Sequence, residues 1–418
     1  MKSTLLVYFM TYGGSVASLF NPFIGLLVFI CFAIVHPARI FWYTLPQGSY
    51  SQTIAIAMLV GWALNGFGHW NMGRARAVTM ALVAFWAWSL LSALLAPSAD
   101  ATWVYMDNLT NIVLPFVVGM TLIKTHRQIL QLVWVVGLSL GYVALNENQI
   151  YYSRGIYVGD NLLAHTFAMG TAVIFFMGLT TSVWWKRLGA FALAGCSANA
   201  VYIHMSRGAM LGLCCAGVMA FLVLPKKPGF LMLYVVALVA GFALAGPQVR
   251  DEFASIFVDR AELDVSASSR FEFWKAMAKC TKENPLFGVG PRQWPIVGHQ
   301  YGAPKNREGH GAWQQLAAEV GIPGVSFVLL FYGICVFRLA RIISEHKSSD
   351  LAWAIPIARI VIVSVPAWVF QQVVGSFYLE ELPYFVCFIG AATIKVASLE
   401  MAHVSLPRQQ LFREIRSA

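Results

Sequence analysis

Long apolar runs recur along almost the whole chain, and they constrain its fold more than any other feature. A helix of about 20 apolar residues crosses a hydrocarbon core of about 30 Å, and its backbone groups are satisfied within the helix. We therefore predict an all-α integral membrane protein, a polytopic bundle of about 12 transmembrane helices. The first two runs are short and are joined by Asn21-Pro22, so the total is twelve or thirteen. The predicted spans lie near 4–20, 22–38, 51–67, 78–96, 104–123, 128–145, 161–182, 187–205, 208–224, 229–246, 312–340, 351–374 and 382–399.

The composition excludes several other classes of protein. Of the 418 residues 58% are apolar and 11% are charged, against roughly 25% charged residues in a soluble domain. A soluble, disordered, collagen-like or coiled-coil chain is therefore excluded, and seven Cys are too few for a disulfide scaffold. The net charge of +10 comes from basic residues scattered between the apolar runs, so we expect no nucleic acid partner.

The basic residues in short connections predict the orientation of the chain, because cytoplasmic loops carry an excess of Lys and Arg. The connections near 74–76, 124–127, 186–187, 226–227 and 338–347 alternate consistently with the spans between them. We place them and the carboxyl-terminal tail in the cytoplasm of a bacterium and the opposite loops in the periplasm. The protein is thus predicted to be a multi-pass protein of the inner membrane, whose amino-terminal side the pattern leaves open.

One long polar stretch, 247–311, interrupts the pattern on the outward side. Loops of this length in compact domains are usually functional. We divide the chain into a first part of the transmembrane bundle, a long periplasmic loop that contains helices, a last part of the bundle and a cytoplasmic tail. These segments cover 1–246, 247–311, 312–400 and 401–418.

Within the long loop, local signals predict one helix over 270–282. Ser268-Ser269 is expected to cap it, and Asn284-Pro285 is expected to end it. The apolar residues Phe271, Trp274 and Met277-Ala278 are expected to share one face. The sequence 288–291, Gly-Val-Gly-Pro, predicts a turn.

Two arginines are candidates for binding an anion. Arg207 lies at the outward junction of two spans, in Ser206-Arg207-Gly208, where a planar guanidinium suits a phosphate at headgroup level. An arginine that reaches lipid phosphates by snorkelling is the equally weighted alternative. Arg270 begins the predicted loop helix, and alone it is typical of a surface charge. If both face one diphosphate, they neutralise its charge and stabilise a leaving group without a metal.

A histidine is the candidate base. His310 ends the outward loop between Gly309 and Gly311. Because histidine titrates near neutrality, it can accept a proton from a sugar hydroxyl, although most single histidines are simply hydrogen-bonded. Gln314 and Glu319 follow at about one and two further turns and are expected to orient a polar network inside the bundle.

Two further features complete the candidate site. Gly321-Ile322-Pro323-Gly324 is expected to kink the next span. Arg154, on another outward loop, is a fourth candidate, for which a solvated loop charge is the better single interpretation.

Metal and nucleotide chemistry have little support. Glu262 and Asp264 form a closely spaced acidic pair in the outward loop, and no His lies near it. No Cys/His cluster has zinc spacing, and the chain has no phosphate-binding Gly-Lys-Ser/Thr motif. We expect no metal, no nucleotide and no other cofactor.

These motifs, in this order and on this side of the membrane, resemble the O-antigen ligase superfamily. That superfamily includes lipopolysaccharide O-antigen ligases, polysaccharide polymerases and protein O-oligosaccharyltransferases. One departure is Gly311, where many members carry a polar residue such as Asn. The likeness rests on the Ser206-Arg207-Gly208 junction, the helix from Arg270 to Trp274, the segment 284–290 and the segment 310–324, all within about 200–330. The segments 21–25, Asn-Pro-Phe-Ile-Gly, and 36–39, His-Pro-Ala-Arg, also resemble a branch of O-glycosylation ligases linked to exosortase systems.

The resemblance implies a donor glycan on undecaprenyl diphosphate and a metal-independent reaction at the periplasmic face. Arg207 and Arg270 would bind the diphosphate, and His310 would activate the acceptor hydroxyl, with inversion at the anomeric carbon. Arg154, Gln314 and Glu319 are further expected substrate contacts. Our leading hypothesis is a ligase that acts on lipid A-core in the presence of membrane lipids.

Two alternatives stay open. A polymerase or a protein O-oligosaccharyltransferase would use the same donor with another acceptor. A secondary transporter, of a different class, would place its site near the bilayer midplane between repeats.

Overall fold

In the computed structural model, the regular elements of the described residues are all helical. The structure describes residues 2–417 except 42, 47, 156–158, 225, 230, 231, 233, 237, 238, 240–264 and 346–350. A π-helical segment, Phe9–Gly13, joins the first two α-helices. In chain order the α-helices are α1 (Lys2–Tyr8), α2 (Gly14–Phe20), α3 (Pro22–Val35), α4 (Pro37–Ile40), α5 (Tyr50–Leu64), α6 (Arg76–Leu94), α7 (Ala99–Leu122), α8 (His126–Arg154), α9 (Asn161–Gly178), α10 (Trp184–Ile203), α11 (Arg207–Val223), α12 (Val265–Glu283), α13 (Trp294–Val297), α14 (Ala312–Glu345), α15 (Ala354–Gln371) and α16 (Glu381–Ser417).

The protein is a multi-pass membrane protein. Large apolar side chains stand exposed on its surface, with Phe9 75% and Phe20 79% exposed, as lipid-facing residues are. The predicted total of about 12 spans stays a prediction, because α7 and α10 are not among the helices long and apolar enough to cross a membrane. The predicted span 229–246 lies mostly outside the described residues. The long periplasmic loop also stays a prediction. Within the described part, seven helical stretches are long and apolar enough to cross a membrane: Pro22–Ile40, Gly73–Leu94, His126–Arg154, Asn161–Gly178, Ala312–Ser344, Ala354–Gln371 and Glu381–Ala402.

The break predicted at Asn21-Pro22 is confirmed, and its cause is local. The side chain of Asn21 accepts a hydrogen bond from the amide of Phe23 at 3.2 Å, which caps α3. Pro22 occupies the first position of α3, where its missing N–H costs nothing.

The last helix, α16, lies at the centre of the bundle. In its most apolar window 89% of the residues are buried, and it packs against α7, α8, α14 and α15. Lys395 on this helix is only 2% exposed. Its Nζ donates hydrogen bonds to the carbonyls of Met120 and Ile123 at the end of α7. These bonds satisfy carbonyls that a helix end leaves unpaired, and the positive charge suits that end of the helix dipole.

The kink predicted in α14 is confirmed at Gly321, which has φ 74° and ψ 176°. A Cβ there would collide with the carbonyl oxygen of Leu286, so the bend requires glycine. The segment after α12 fills the bend, because the amide of Ile322 donates to the carbonyl of Pro285 at 2.9 Å. The carbonyls freed before the bend accept hydrogen bonds from Val289 (to Ala318) and Gly290 (to Glu319), each at 2.9 Å.

Helix α12 departs from its prediction at one end and on one face. It begins at Val265, so Ser268-Ser269 lies inside the helix, and the expectation that this pair caps it is wrong. It ends at Glu283, as Asn284-Pro285 predicts. Phe271 and Ala278, which were expected on the apolar face, are exposed. Met277 is buried, as expected. It belongs to a buried stripe at the i, i+3, i+4, i+7 spacing of an amphipathic helix, which consists of Phe273, Ala276, Met277 and Cys280 and packs with Trp294, Ala303 and Ala318.

Candidate functional site

The first arginine begins α11 directly after a sharp turn. Met205 has φ 51°, and this left-handed residue reverses the chain between α10 and α11. Arg207 is half-buried at the first position of α11, just after the junction with α10. The next residue, Gly208, allows close approach: the Nε2 of His165 lies 3.0 Å from the position that a Cβ on Gly208 would occupy.

The second arginine lies close enough to the first for their charges to interact. Arg270 on α12 is half-buried, and its Nε has no hydrogen-bond partner among the described residues. Burial and the neighbouring charge of Arg207 lower the pKa of Arg270 below its usual range. Two like charges in a half-buried place repel each other, and an anion bound near both would relieve that repulsion.

His310 lies close enough to Arg270 for the arginine's charge to act on its imidazole. It is exposed, and its backbone is left-handed with φ 46°, an unusual conformation for a residue with a side chain. Its carbonyl oxygen accepts a hydrogen bond from Nε1 of Trp274 at 3.0 Å. The ring of Phe273 meets the imidazole edge-on, with 6.3 Å between the centroids. Trp274, which bonds to the loop of His310, thus lies one helical turn after Arg270 on α12.

The electrostatic surroundings of His310 favour its neutral form. Desolvation and then the positive charge of Arg270 lower the pKa of His310 below its ordinary value of 6.5. The charge of Arg307 acts in the same direction, and Glu308 opposes both. A neutral imidazole can accept a proton near pH 7, which is what a general base needs.

A buried polar network fixes the loop that carries His310. The Oε1 of Gln315 accepts a hydrogen bond from the amide of Gly309 at 2.9 Å, and its Nε2 donates to Glu308 at 2.6 Å and Glu319 at 3.1 Å. Glu319 is 0% exposed and accepts a hydrogen bond from the hydroxyl of Tyr378 at 2.7 Å. Glu319 thus belongs to an interior network, as the sequence predicts. Gln315 joins this network to the loop of His310, and sequence reasoning missed the roles of Gln315 and Tyr378.

Gln314 lies instead beside the histidine. Its Oε1 is 2.7 Å from the position of a Cβ on Gly311, and Nε1 of Trp274 is 2.6 Å from the same point. This buried Oε1 has no hydrogen-bond partner in the described part of the chain. The space that a polar side chain at position 311 would need is therefore occupied by Gln314 and Trp274.

Of the remaining predicted candidates, Arg154 is exposed at the last residue of α8, and its part in the site stays a prediction. The acidic pair Glu262 and Asp264 lies outside the described residues.

The end of α15 is hydrogen-bonded to the start of α14. The carbonyl of Gln372 accepts a hydrogen bond from the amide of Ala312 at 2.9 Å. The Nε1 of Trp313 donates to the carbonyl of Val369, also at 2.9 Å. These bonds connect the start of α14, directly after His310, to α15. Sequence reasoning missed Gln371 and Gln372, although a polar pair within an apolar span is a signal that could have found them.

Comparison with protein families agrees with this geometry. Residues 191–329 match the family model described as O-Antigen ligase, and Arg207, Arg270 and His310 all lie within this match. The match covers about a third of the chain and supports membership in the O-antigen ligase superfamily. Members of this superfamily are glycosyltransferase-like enzymes that act on lipid-linked glycans. The resemblance inferred from the motifs is therefore confirmed.

A second family model matches the amino-terminal part of the chain. Residues 1–154 match a family model described as a family of unknown function (DUF5935). No curated protein matches the chain.

Proposed function

We propose that this protein is a metal-independent, inverting glycosyltransferase that transfers a glycan en bloc from undecaprenyl diphosphate to a hydroxyl of lipid A-core. The reaction takes place at the periplasmic face of the bacterial inner membrane, and the carboxyl terminus lies in the cytoplasm. The observation that carries the proposal is that the charge of Arg270 acts on both Arg207 and His310. Trp274, one turn after Arg270, also bonds to the carbonyl of His310. The ligase family match supports it independently.

Arg207 and Arg270 bind the diphosphate of the donor. A guanidinium donates two parallel hydrogen bonds to a phosphate, and the anion offsets the repulsion between the two cations. When the bond between the anomeric carbon and the phosphate oxygen breaks, undecaprenyl diphosphate departs with the bonding electrons. The arginine pair stabilises the negative charge that develops on this leaving group.

His310 acts as the general base. As the acceptor oxygen bonds to the anomeric carbon, its proton passes to the neutral imidazole, and attack opposite the leaving group inverts the configuration. The unpaired Oε1 of Gln314 beside His310 positions the acceptor hydroxyl. Glu319 acts through Gln315 on the loop, and Arg154 stays a predicted substrate contact at the end of α8.

Reconstituted transfer tests the proposal. Purified protein is incubated with undecaprenyl-diphosphate-linked glycan and lipid A-core, with the His310→Ala variant as the inactive control. We expect glycan on lipid A-core and release of glycan-free undecaprenyl diphosphate. Only lengthened lipid-linked glycan would instead indicate a polymerase, and glycan on a protein hydroxyl an O-oligosaccharyltransferase. Flux of lipid-linked glycan in liposomes without any transfer would indicate a transporter.

A further inference from the structure

A second polar cluster lies beside the arginine pair and takes no part in the mechanism described above. We name it the amide shelf, and it consists of His165 on α9 and Gln371 and Gln372 at the end of α15. Their exposed fractions are 3%, 1% and 0%. All three side chains are thus buried.

The amide shelf runs along the first turns of α11. The His165 ring covers Gly208, and the Gln371 side chain covers Gly212 one turn further on. Any side chain at either glycine would displace the shelf. Arg270 is close enough for its charge to act on His165. The amide shelf therefore lies against the turn that begins with Arg207, and it also lies near Arg270.

Several polar atoms of the amide shelf have no hydrogen-bond partner among the described residues. They are Nδ1 of His165, Nε2 and Oε1 of Gln371, and Nε2 of Gln372. Folded proteins bury few such atoms, because an unpaired donor or acceptor costs stability. Gln372 is nevertheless held firmly, since its Oε1 accepts a hydrogen bond from the amide of Phe377 at 2.9 Å.

The mixture of donors and acceptors identifies the chemistry of the ligand. A phosphate oxygen only accepts hydrogen bonds, whereas a hydroxyl both donates and accepts them. The shelf offers amide N–H donors, an amide oxygen and an imidazole nitrogen, and this set matches hydroxyl groups. The rings of Phe377 and Trp368 flank His165, with centroids 5.2 and 6.5 Å away.

The position of the amide shelf identifies which hydroxyl groups it meets. Gly208 follows Arg207, the diphosphate ligand of the proposed function, and Gln372 bonds to Ala312, two residues after the proposed base. In the reaction, the sugar attached to the diphosphate lies between these two groups. We propose that the amide shelf binds the hydroxyl groups of the first sugar of the donor glycan, an inference that rests on the proposed function.

The test compares two lipids that differ only in that sugar: undecaprenyl diphosphate, and undecaprenyl diphosphate carrying one sugar. Their affinities are measured for the wild type, for Gln371→Met and for His165→Leu, which keep similar volumes without the hydrogen-bonding atoms. Ser364→Ala is the matched control, because Ser364 is buried on α15 and its hydroxyl donates to the carbonyl of Ile360 on the same helix. Thermal unfolding checks that each variant is folded.

We expect both shelf variants to bind the sugar-bearing lipid about tenfold more weakly, roughly the effect of losing one or two hydrogen bonds. Their affinity for the sugar-free lipid should equal that of the wild type. An equal loss for both lipids, or no loss for either, would overturn the sugar-binding role. If the wild type binds neither lipid, the diphosphate site itself is wrong, which separates failure of the proposed function from failure of the shelf alone.

Discussion

The indole Nε1 of Trp274 donates a hydrogen bond to the carbonyl of His310 at 3.0 Å. Trp274 lies one helical turn after Arg270 on α12, so a single bond joins the helix of one arginine to the loop of the proposed base. The anion-binding side of the site and the base are therefore held in a fixed relation. The five predictions below follow from that relation and from the packing around it.

Removing either arginine side chain should weaken donor binding. Hydrogen bonds to charged groups contribute about 1.5–3 kcal/mol, so we expect Arg207→Ala and Arg270→Ala to bind undecaprenyl diphosphate roughly 10- to 100-fold more weakly. Replacement by Lys should restore only part of this affinity, because the planar fork is lost. Lys186→Ala, at the opposite end of α10, is the control. Unchanged affinity in both alanine variants would remove the diphosphate assignment.

His310→Ala should separate chemistry from binding. General base catalysis typically contributes about 10²–10⁴-fold in rate, and we expect a loss of that size in transfer. Donor affinity should be retained, because the imidazole is not a phosphate ligand. The measurement pairs single-turnover transfer with equilibrium binding of the donor. Near-normal transfer would exclude the base role.

The pH dependence of transfer should report His310. Its pKa lies below its ordinary value of 6.5, so the base is neutral at pH 7, and kcat/KM should fall as the pH drops through that pKa. Arg307→Gln removes a charge that lowers this pKa, so the acidic limb should move to higher pH. Lys305→Gln in the same loop is the control for the loss of one positive charge. A limb that stays in place in Arg307→Gln, or moves to lower pH, contradicts the assignment.

The bend in α14 should depend on its glycine. Gly321→Ala places a side chain at a positive φ and against the carbonyl of Leu286, which we expect to cost about 2–4 kcal/mol. Gly333 on the same helix has open space around it, so Gly333→Ala should leave stability nearly unchanged. Thermal unfolding in detergent compares the two variants. Equal stability would show that the bend does not require glycine.

A strong chelator should leave transfer intact, because the arginine pair supplies the positive charge that a metal would otherwise provide. Turnover is measured before and after treatment with the chelator and after addition of a divalent metal. Loss of activity that the metal restores would revive the alternative based on Glu262 and Asp264.

Features encoded over a few residues could be predicted from the sequence. Asn284-Pro285 ends α12, and the sequence from Gly321 to Gly324 bends α14, because proline and glycine act on their own backbone. Such arguments need no knowledge of the partner helices.

Features that depend on contacts between distant segments could not be predicted in this way. Gln315 rather than Gln314 joins the loop network, and a shift of one residue is a rotation of about 100° on a helix. The buried face of α12 was misjudged for the same reason, since packing against α14 selects it. His165 and Gln371 meet only because α9, α11 and α15 pack together.

A structure of the protein with undecaprenyl diphosphate bound tests the central claim most directly, because it locates the phosphates and the three side chains together. The account predicts both phosphates between the guanidinium groups of Arg207 and Arg270, with the imidazole of His310 facing the position of the anomeric carbon. Phosphates bound elsewhere, with the two arginines pointing into separate surroundings, would contradict it.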